Sequence, residues 1–168
     1  ITESADDADV ALTNSGNAFA GAITVVSDDT NGDNAEDVDI TNSIATVLGG
    51  TTQSGTLDIV SKSGNITQTG ALDVDTTSSF TTEANDATIT LTNTANALTG
   101  AVTFVSTDSD SNNEEAVQLT NSIATVLGGS TESGSLVVVS KSGNITQTGS
   151  LDVDTTSSFT TEADDATI

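Results

Sequence analysis

The sequence predicts an all-β chain wound as a right-handed parallel β-helix, and three observations point there. The stretch Thr41-Asn42-Ser43-Ile44-Ala45-Thr46-Val47-Leu48-Gly49-Gly50 returns letter for letter 79 residues later, at 120–129. On that offset 5–83 aligns with 84–162 without a gap, 54 of 79 positions being identical, so the first reading is an array of one unit and not a single globular core. Apolar residues, mostly β-branched, alternate with polar ones, as in Val10-Ala11-Leu12-Thr13, Leu72-Asp73-Val74-Asp75 and Val102-Thr103-Phe104, which is the period of half-buried strands. Proline is absent, so every residue keeps an N–H for a ladder.

The chain 1–168 therefore reads as one solenoid segment, with unit one at 5–83, unit two at 84–162 and partial flanking units at 1–4 and 163–168. A strand start recurs at Val10, Val38, Ile66, Ile89, Val117 and Ile145, spaced 28, 28, 23, 28 and 28 residues. That spacing predicts three coils per 79-residue repeat and three short strands per coil. In unit one the coils are 10–13, 18–19 and 22–26, then 38–41, 44–48 and 57–60, then 66–69, 72–75 and 80–82. The surplus residues at 28–37 and 49–55 become loops projecting from corners. Superposing the coils puts Thr13, Thr41, Thr69, Thr92, Thr120 and Thr148 in one outward column. Gln68 and Gln147 fall on inward positions, where an unpaired amide costs a few kcal/mol, so their amides are expected to be satisfied by each other or at a corner.

Composition bounds the function. Twenty-five acids stand against only Lys62 and Lys141, a formal charge of −23, which repels nucleic acid and anionic lipid. The chain has no Cys, His, Met, Trp or Tyr, hence no disulfide, no soft metal ligand and no histidine base, and the redox compartment stays open. No apolar run approaches the roughly 20 residues of a membrane-spanning helix, and any export signal is expected outside this segment. Acidic, aromatic-poor chains are often disordered. The strict alternation of apolar residues argues for strands instead.

Two sets of carboxylates invite chemistry. Asp29, Asn31 and Asp33, followed by Glu36, fall on the same repeat positions as Asp108, Asp110 and Asn112, followed by Glu115. Oxygen ligands at alternate residues suit calcium, which takes six to eight of them. The twelfth position of an EF-hand, a bidentate acid, is occupied by Ile40 or Leu119, so the pattern is incomplete, and a solvated acidic loop is the other reading. Asp73 with Asp75, and Asp152 with Asp154, place two carboxylates about 7 Å apart on one strand face, near the separation of an inverting glycosidase. No Arg, His or Tyr accompanies them to orient a substrate, which favours a charged solvent face and no enzyme. The outward Thr column suggests an ice-binding face, but the column beside it, Ala11, Asp39, Thr67, Thr90, Gln118 and Thr146, is too mixed in size and charge. Asn65-Ile66-Thr67 and Asn144-Ile145-Thr146 match the short N-glycosylation sequon.

The stretches Ala87-Thr-Ile-Thr-Leu-Thr-Asn93, Gly100-Ala-Val-Thr103 and Gly64-Asn-Ile-Thr-Gln-Thr-Gly-Ala-Leu-Asp-Val74 resemble repeats of large secreted bacterial surface proteins of the filamentous-haemagglutinin and autotransporter-adhesin type. The resemblance spans nearly the whole chain and implies a right-handed parallel β-helix, an extracellular location and an adhesive or matrix role, without catalytic residues. The expected function is a structural segment of an extracellular bacterial adhesin, fibre or sheath, a stiff acidic shaft. Its expected partners are copies of itself, end to end or laterally through divalent cations, and a surface receptor or glycan. A carbohydrate-binding or carbohydrate-cleaving β-helix is one alternative, and a string of calcium-dependent β-sandwich domains is another. The lack of Trp and Tyr argues against sandwiches, whose cores hold large aromatics. Residues 1–10 and 159–168 occupy equivalent parts of the repeat, and neither has a cap, so the segment is expected to be a window onto a longer chain or a protomer covered by neighbours.

Overall fold

A computed structural model describes residues 1–3, 8–27, 36–106 and 115–168. Every strand pairing is parallel and no helix occurs among the described residues, so the chain is a β-solenoid, with about six turns between Val10 and Gln147. One ladder runs through seven strands: Val10–Leu12, Asp37–Asn42, Thr56–Ser61, Ser78–Thr82, Ala101–Ser106, Thr125–Leu127 and Ile145–Gln147. A second ladder runs through Thr46–Leu48, Ile66–Gln68, Ile89–Leu91 and Ala116–Asn121 into the longer strands Thr131–Ser140 and Leu151–Thr161. A third joins Thr2–Glu3, Val26–Ser27, Thr52–Ser54, Leu72–Val74 and Ala97–Leu98. Parallel all-β pairing of this kind excludes the sandwich alternative, which is built on antiparallel sheets.

The alternating pattern fixes which side chains turn inward. In Asp37–Asn42 the residues Val38, Ile40 and Asn42 are buried while Asp37, Asp39 and Thr41 face outward, and Thr56–Ser61 buries Leu57, Ile59 and Ser61 directly above them. The core is a narrow stack of Val, Ile and Leu, into which Phe80 and Phe104 pack on adjacent levels with ring centroids 5.8 Å apart, both fully buried. The register brings Phe80 between Ile59 and Phe104.

The pairing corrects the register expected within the unit. Val10 does pair with Val38, and Ile66 with Ile89, which pairs with Val117. Val38, however, pairs with Leu57 and not Ile66, Ile66 rests on Thr46, Val117 pairs with Leu136, and Ile145 pairs with Thr125. The reason is that 57–60, expected as the third strand of a coil, begins a new level: its Leu57-Asp58-Ile59 repeats the in-out-in pattern of Val38-Asp39-Ile40. Nor is 49–55 a projecting loop, because Thr52–Ser54 is a strand with Thr52 and Ser54 turned inward. The outward Thr column is broken in consequence, with Val60 beside Thr41 and Val139 beside Thr120.

A residue moved by 79 positions changes ladder. Val10 lies on the first ladder and its mate Ile89 on the second, whereas Leu48, bridged to Ile23, and Leu127, paired with Val102, make the opposite exchange. The unit thus makes about three and a half turns, not three, and the two copies present different sides outward.

Corners are closed by buried amides. Asn42 accepts from the Phe19 N–H at 2.9 Å and donates to the carbonyls of Phe19 and Ala45, and Asn121 makes the same contacts with Leu98 and Ala124. Gly50 and Gly129 take φ of 61° and 60° at the next corner, and a Cβ on Gly70 would lie 1.2 Å from the Gly50 carbonyl oxygen. The double glycine that ends the ten-residue identity follows from that φ at Gly50 and from the neighbouring turn, since a Cβ on Gly49 would lie 2.7 Å from the Ala22 Cβ and one on Gly50 2.7 Å from the Thr24 side chain.

Candidate functional site

Of the expected metal ligands, Asp29, Asn31, Asp33, Asp108, Asp110 and Asn112 lie outside the described residues. Glu36 and Glu115 are described and are buried, 1% and 2% exposed. Each sits where the chain enters a strand, Asp37–Asn42 or Ala116–Asn121. Their backbone carbonyls are held by the level above: Gly55 and Thr56 N–H donate to Glu36 at 3.0 and 3.3 Å, Gly134 and Ser135 N–H to Glu115 at 2.9 and 3.1 Å. The Glu115 Oε1 accepts the N–H of Asp86, which adopts a left-handed φ of 60°. Both carboxylate oxygens of Glu36 and the Oε2 of Glu115 are buried without a hydrogen-bond partner among the described residues. Ser54, which precedes Gly55, and Ser27, one residue beyond the paired Val26 and Gln53, also bury hydroxyls without a partner, as does Ser133 in the second unit. The sequence placed these glutamates at the edge of a loop; the signal for their inward turn is the period-two alternation itself, which run back two residues from inward Val38 or Val117 falls on Glu36 or Glu115.

The other carboxylates lie outside. Asp73, Asp75, Asp152 and Asp154 are all exposed, and among the described residues no group of three acids gathers as a metal cluster. Partial burial, with Asp75 adding to it, raises the Asp73 carboxyl above the usual range. On the first ladder Asp39 stands between Ala11 and Asp58, and its carboxyl is raised first by burial and then by Asp58, Asp37 and Asp9. The basic side chains are spent at the rim: Lys62 pairs with Glu83 and Lys141 with Glu162.

Inward amides form the remaining polar feature. Gln68 donates to Gly70 O at 2.6 Å and to Asn96 Oδ1 at 2.8 Å, and its Oε1 accepts from Asn93 N and Asn96 Nδ2, so it is satisfied at a corner as expected. Asn96, which the sequence did not single out, is the hub, bonding also to Leu72 N, Leu91 O and Thr120 O. Gln147, expected inward, is exposed, and among the described residues its amide keeps one contact, to Gly149 O.

A family model described as repeats of unknown function (DUF5649) matches residues 35–105 and again 114–168, two matches that begin one 79-residue unit apart. The chain belongs to this family. No curated protein and no solved structure matches it. In this chain the repeat is a unit of about three and a half solenoid turns with the buried amides of Asn42, Asn96 and Asn121 at its corners.

Proposed function

We propose that this DUF5649 repeat segment is the stiff, acidic shaft of an extracellular bacterial fibre, adhesin or sheath, lengthened by further levels that add end to end. One observation carries the reading. Inside the chain, residues 66–80 are covered by 89–104: Ile66 by Ile89, Gln68 by Asn96, Phe80 by Phe104. The repeat-equivalents of these two surfaces, 145–159 and 10–25, lie at opposite ends of the ladders. The end carrying Leu127, Ile145, Leu151 and Phe159 forms an apolar hollow, and the other end carries Val10, Asn17 and Val25. Each end presents what the other covers, a heterologous head-to-tail fit that extends without closing. Further levels of the same chain and a second copy satisfy it equally.

Continuous parallel ladders supply stiffness, and the charge of −23 supplies solubility and hydration. The likeness of Gly64-Asn-Ile-Thr-Gln-Thr-Gly to secreted adhesin repeats supports the extracellular setting. A receptor or glycan is read from that likeness alone. The exposed Asp73 and Asp75 pair serves on this reading as solvated surface, and divalent ions screen such faces to allow lateral packing.

Fibre diffraction and electron microscopy of chains carrying two, four and six units test the shaft. Rods that lengthen in proportion to the number of units, with a meridional spacing near 4.8 Å, are expected. Compact particles of unchanged length would overturn it. Bundling that persists unchanged between calcium and chelator would remove the lateral role.

A further inference from the structure

The outer face of the second ladder is out of character with the rest of the chain. Its central column of outward side chains runs Val47, Thr67, Thr90, Gln118, Val137 and Ser158 on six successive levels, and none of them carries a charge. The outward positions to either side are neutral as well, Thr120 beside Val139 and Ala116 beside Ser135. The first ladder turns Asp37, Asp39 and Asp58 outward, and the third turns Asp73 outward next to Gln53. Glu132 and Asp152 belong to the long strands, but they pair with each other before the register shift between Ser133 and Ser135, on the side where Glu132 meets Val105. Lys141 and Glu162 lie past the far edge and neutralise each other. Val137, 38% exposed, is the one bulky apolar side chain among the described residues, apart from the terminal Ile1 and Ile168, that stands open to solvent.

The repeat shows how this face loses its charge. Because the unit makes about three and a half turns, the outward positions of unit one that hold Asp9, Asp37, Asp39 and Asp58 recur 79 residues on at the second ladder, where Thr88, Ala116, Gln118 and Val137 stand instead. All four carboxylates are gone. In a chain of −23 the consequence is selective. A cationic partner is drawn to the acidic sides, and an anionic one is repelled by the molecule as a whole. A second copy, acidic on its other sides, avoids opposing carboxylates when the two neutral faces meet. None of the side chains named on the face is aromatic, so a sugar ring finds no platform to stack on. Six rungs about 4.8 Å apart, each six residues wide, make a face of roughly 500 Å². A pair then buries about 1,000 Å², the lower bound for a specific contact.

We propose that this face is a lateral contact between two copies of the chain related by a two-fold axis, with Val137 and Val139 as its apolar anchors and the threonine, serine and glutamine side chains around them. The acids of both copies then turn away from the contact into water. No cation is needed to hold it, in contrast to any packing of the sides that carry Asp39 and Asp73. The contact does not rest on growth of the shaft: chains that pair need not lengthen, and chains that lengthen need not pair.

The test is small-angle scattering of the 168-residue chain over a concentration series, in chelator and about 0.5 M potassium chloride, where long-range repulsion is screened. Pairing with a Kd of about 0.1 mM is expected for so small a contact, with an enlarged cross-section and an unchanged maximum length. Lengthening without thickening overturns the proposal and leaves the shaft intact. Gln118→Asp with Val137→Asp puts the unit-one residues into unit two, at positions where the fold already accepts Asp39 and Asp58, and should weaken pairing at least tenfold with an unchanged circular dichroism spectrum. Asp39→Asn, on another side, should not weaken it. The chain has no cysteine, so Val137→Cys or Asp58→Cys each takes a single spin label. Across the pair, labels on the first variant should lie within about 25 Å of each other and labels on the second farther apart. A chain that is single at about 1 mM, pairing that survives the double aspartate variant, or label distances in the reverse order overturns the proposal. So does a chain that stays single and is held on an uncharged polysaccharide only while Gln118 and Val137 are intact, the mark of a glycan face.

Discussion

Gly21 and Gly100 hold the same place in the two units, yet a Cβ added to Gly21 would meet nothing within 4 Å, while on Gly100 it would lie 1.4 Å from the Thr76 carbonyl oxygen. Asn17 and Asn96 repeat the contrast. Asn96 is fully buried and joins Gln68, Leu72, Leu91 and Thr120, whereas Asn17 is half-buried and donates only to the carbonyls of Leu12 and Thr41. Same letter, different neighbour: Gly100 and Asn96 have a level on each side, Gly21 and Asn17 on one. What a residue of this repeat contributes is therefore decided by the turn stacked on it, as nearest-neighbour coupling in a solenoid requires.

Gly100→Ala is the sharpest way to break that comparison. Forcing a Cβ into a backbone carbonyl displaces one turn from the next, and a loss of about 3 kcal/mol is expected, at the upper end of overpacking costs. Gly21→Ala should change stability by no more than about 0.5 kcal/mol, as for an exposed substitution. Urea unfolding of both variants measures the difference, and equal losses would show that the glycines serve local backbone conformation instead of the approach of turns. Asn96→Ala comes next. It orphans the Leu72 N–H and the carbonyls of Leu91 and Thr120 in the interior, for about 2–3 kcal/mol, while Asn17→Ala should cost under about 1 kcal/mol. The ratio of the two, read from the same unfolding curves, is the quantity of interest.

The same dependence on neighbours explains what the sequence could and could not tell. Strand residues were readable because Val38-Asp39-Ile40 or Leu72-Asp73-Val74 states its own in-out pattern. Stacking order was not, because Leu57-Asp58-Ile59 and Ile66-Thr67-Gln68 are equally good partners for Val38-Asp39-Ile40 by pattern, and only the closure of the turn selects the first. Corner residues were the least readable. Asn42 was placed at a corner by its sequence, but the side-chain contacts of buried Asn96 and Glu115 depend on groups contributed by other levels, up to 29 residues away in the case of Asp86 and Glu115.

The smallest expected effect lies on the outer face, where the copies differ in charge. Asp39 pairs with Asp58 in unit one; the equivalent pair in unit two is Gln118 with Val137. Burial and then the Asp58 charge raise the Asp39 carboxyl above its ordinary value of 3.8. A carboxyl that holds its proton more tightly in the folded state favours folding at low pH, and that contribution is lost as pH climbs from 3.8 through the raised value, staying lost at pH 7. The chain should therefore be more stable near pH 4.5 than at pH 7 as far as Asp39 contributes. Asp58→Val, which writes the unit-two residue into unit one, removes a like charge from directly beside Asp39. It should stabilise the chain at pH 7 by about 0.5 kcal/mol, flatten the loss between pH 4.5 and 7, and have less effect in 1 M salt, where like-charge neighbours are screened. Val137→Asp places a charge beside neutral Gln118 and should leave the pH profile nearly unchanged. Stability measured across that pH range in the two variants separates a pairwise repulsion, which only Asp58→Val relieves, from the general self-repulsion of 25 acids, which any lost carboxylate would ease alike.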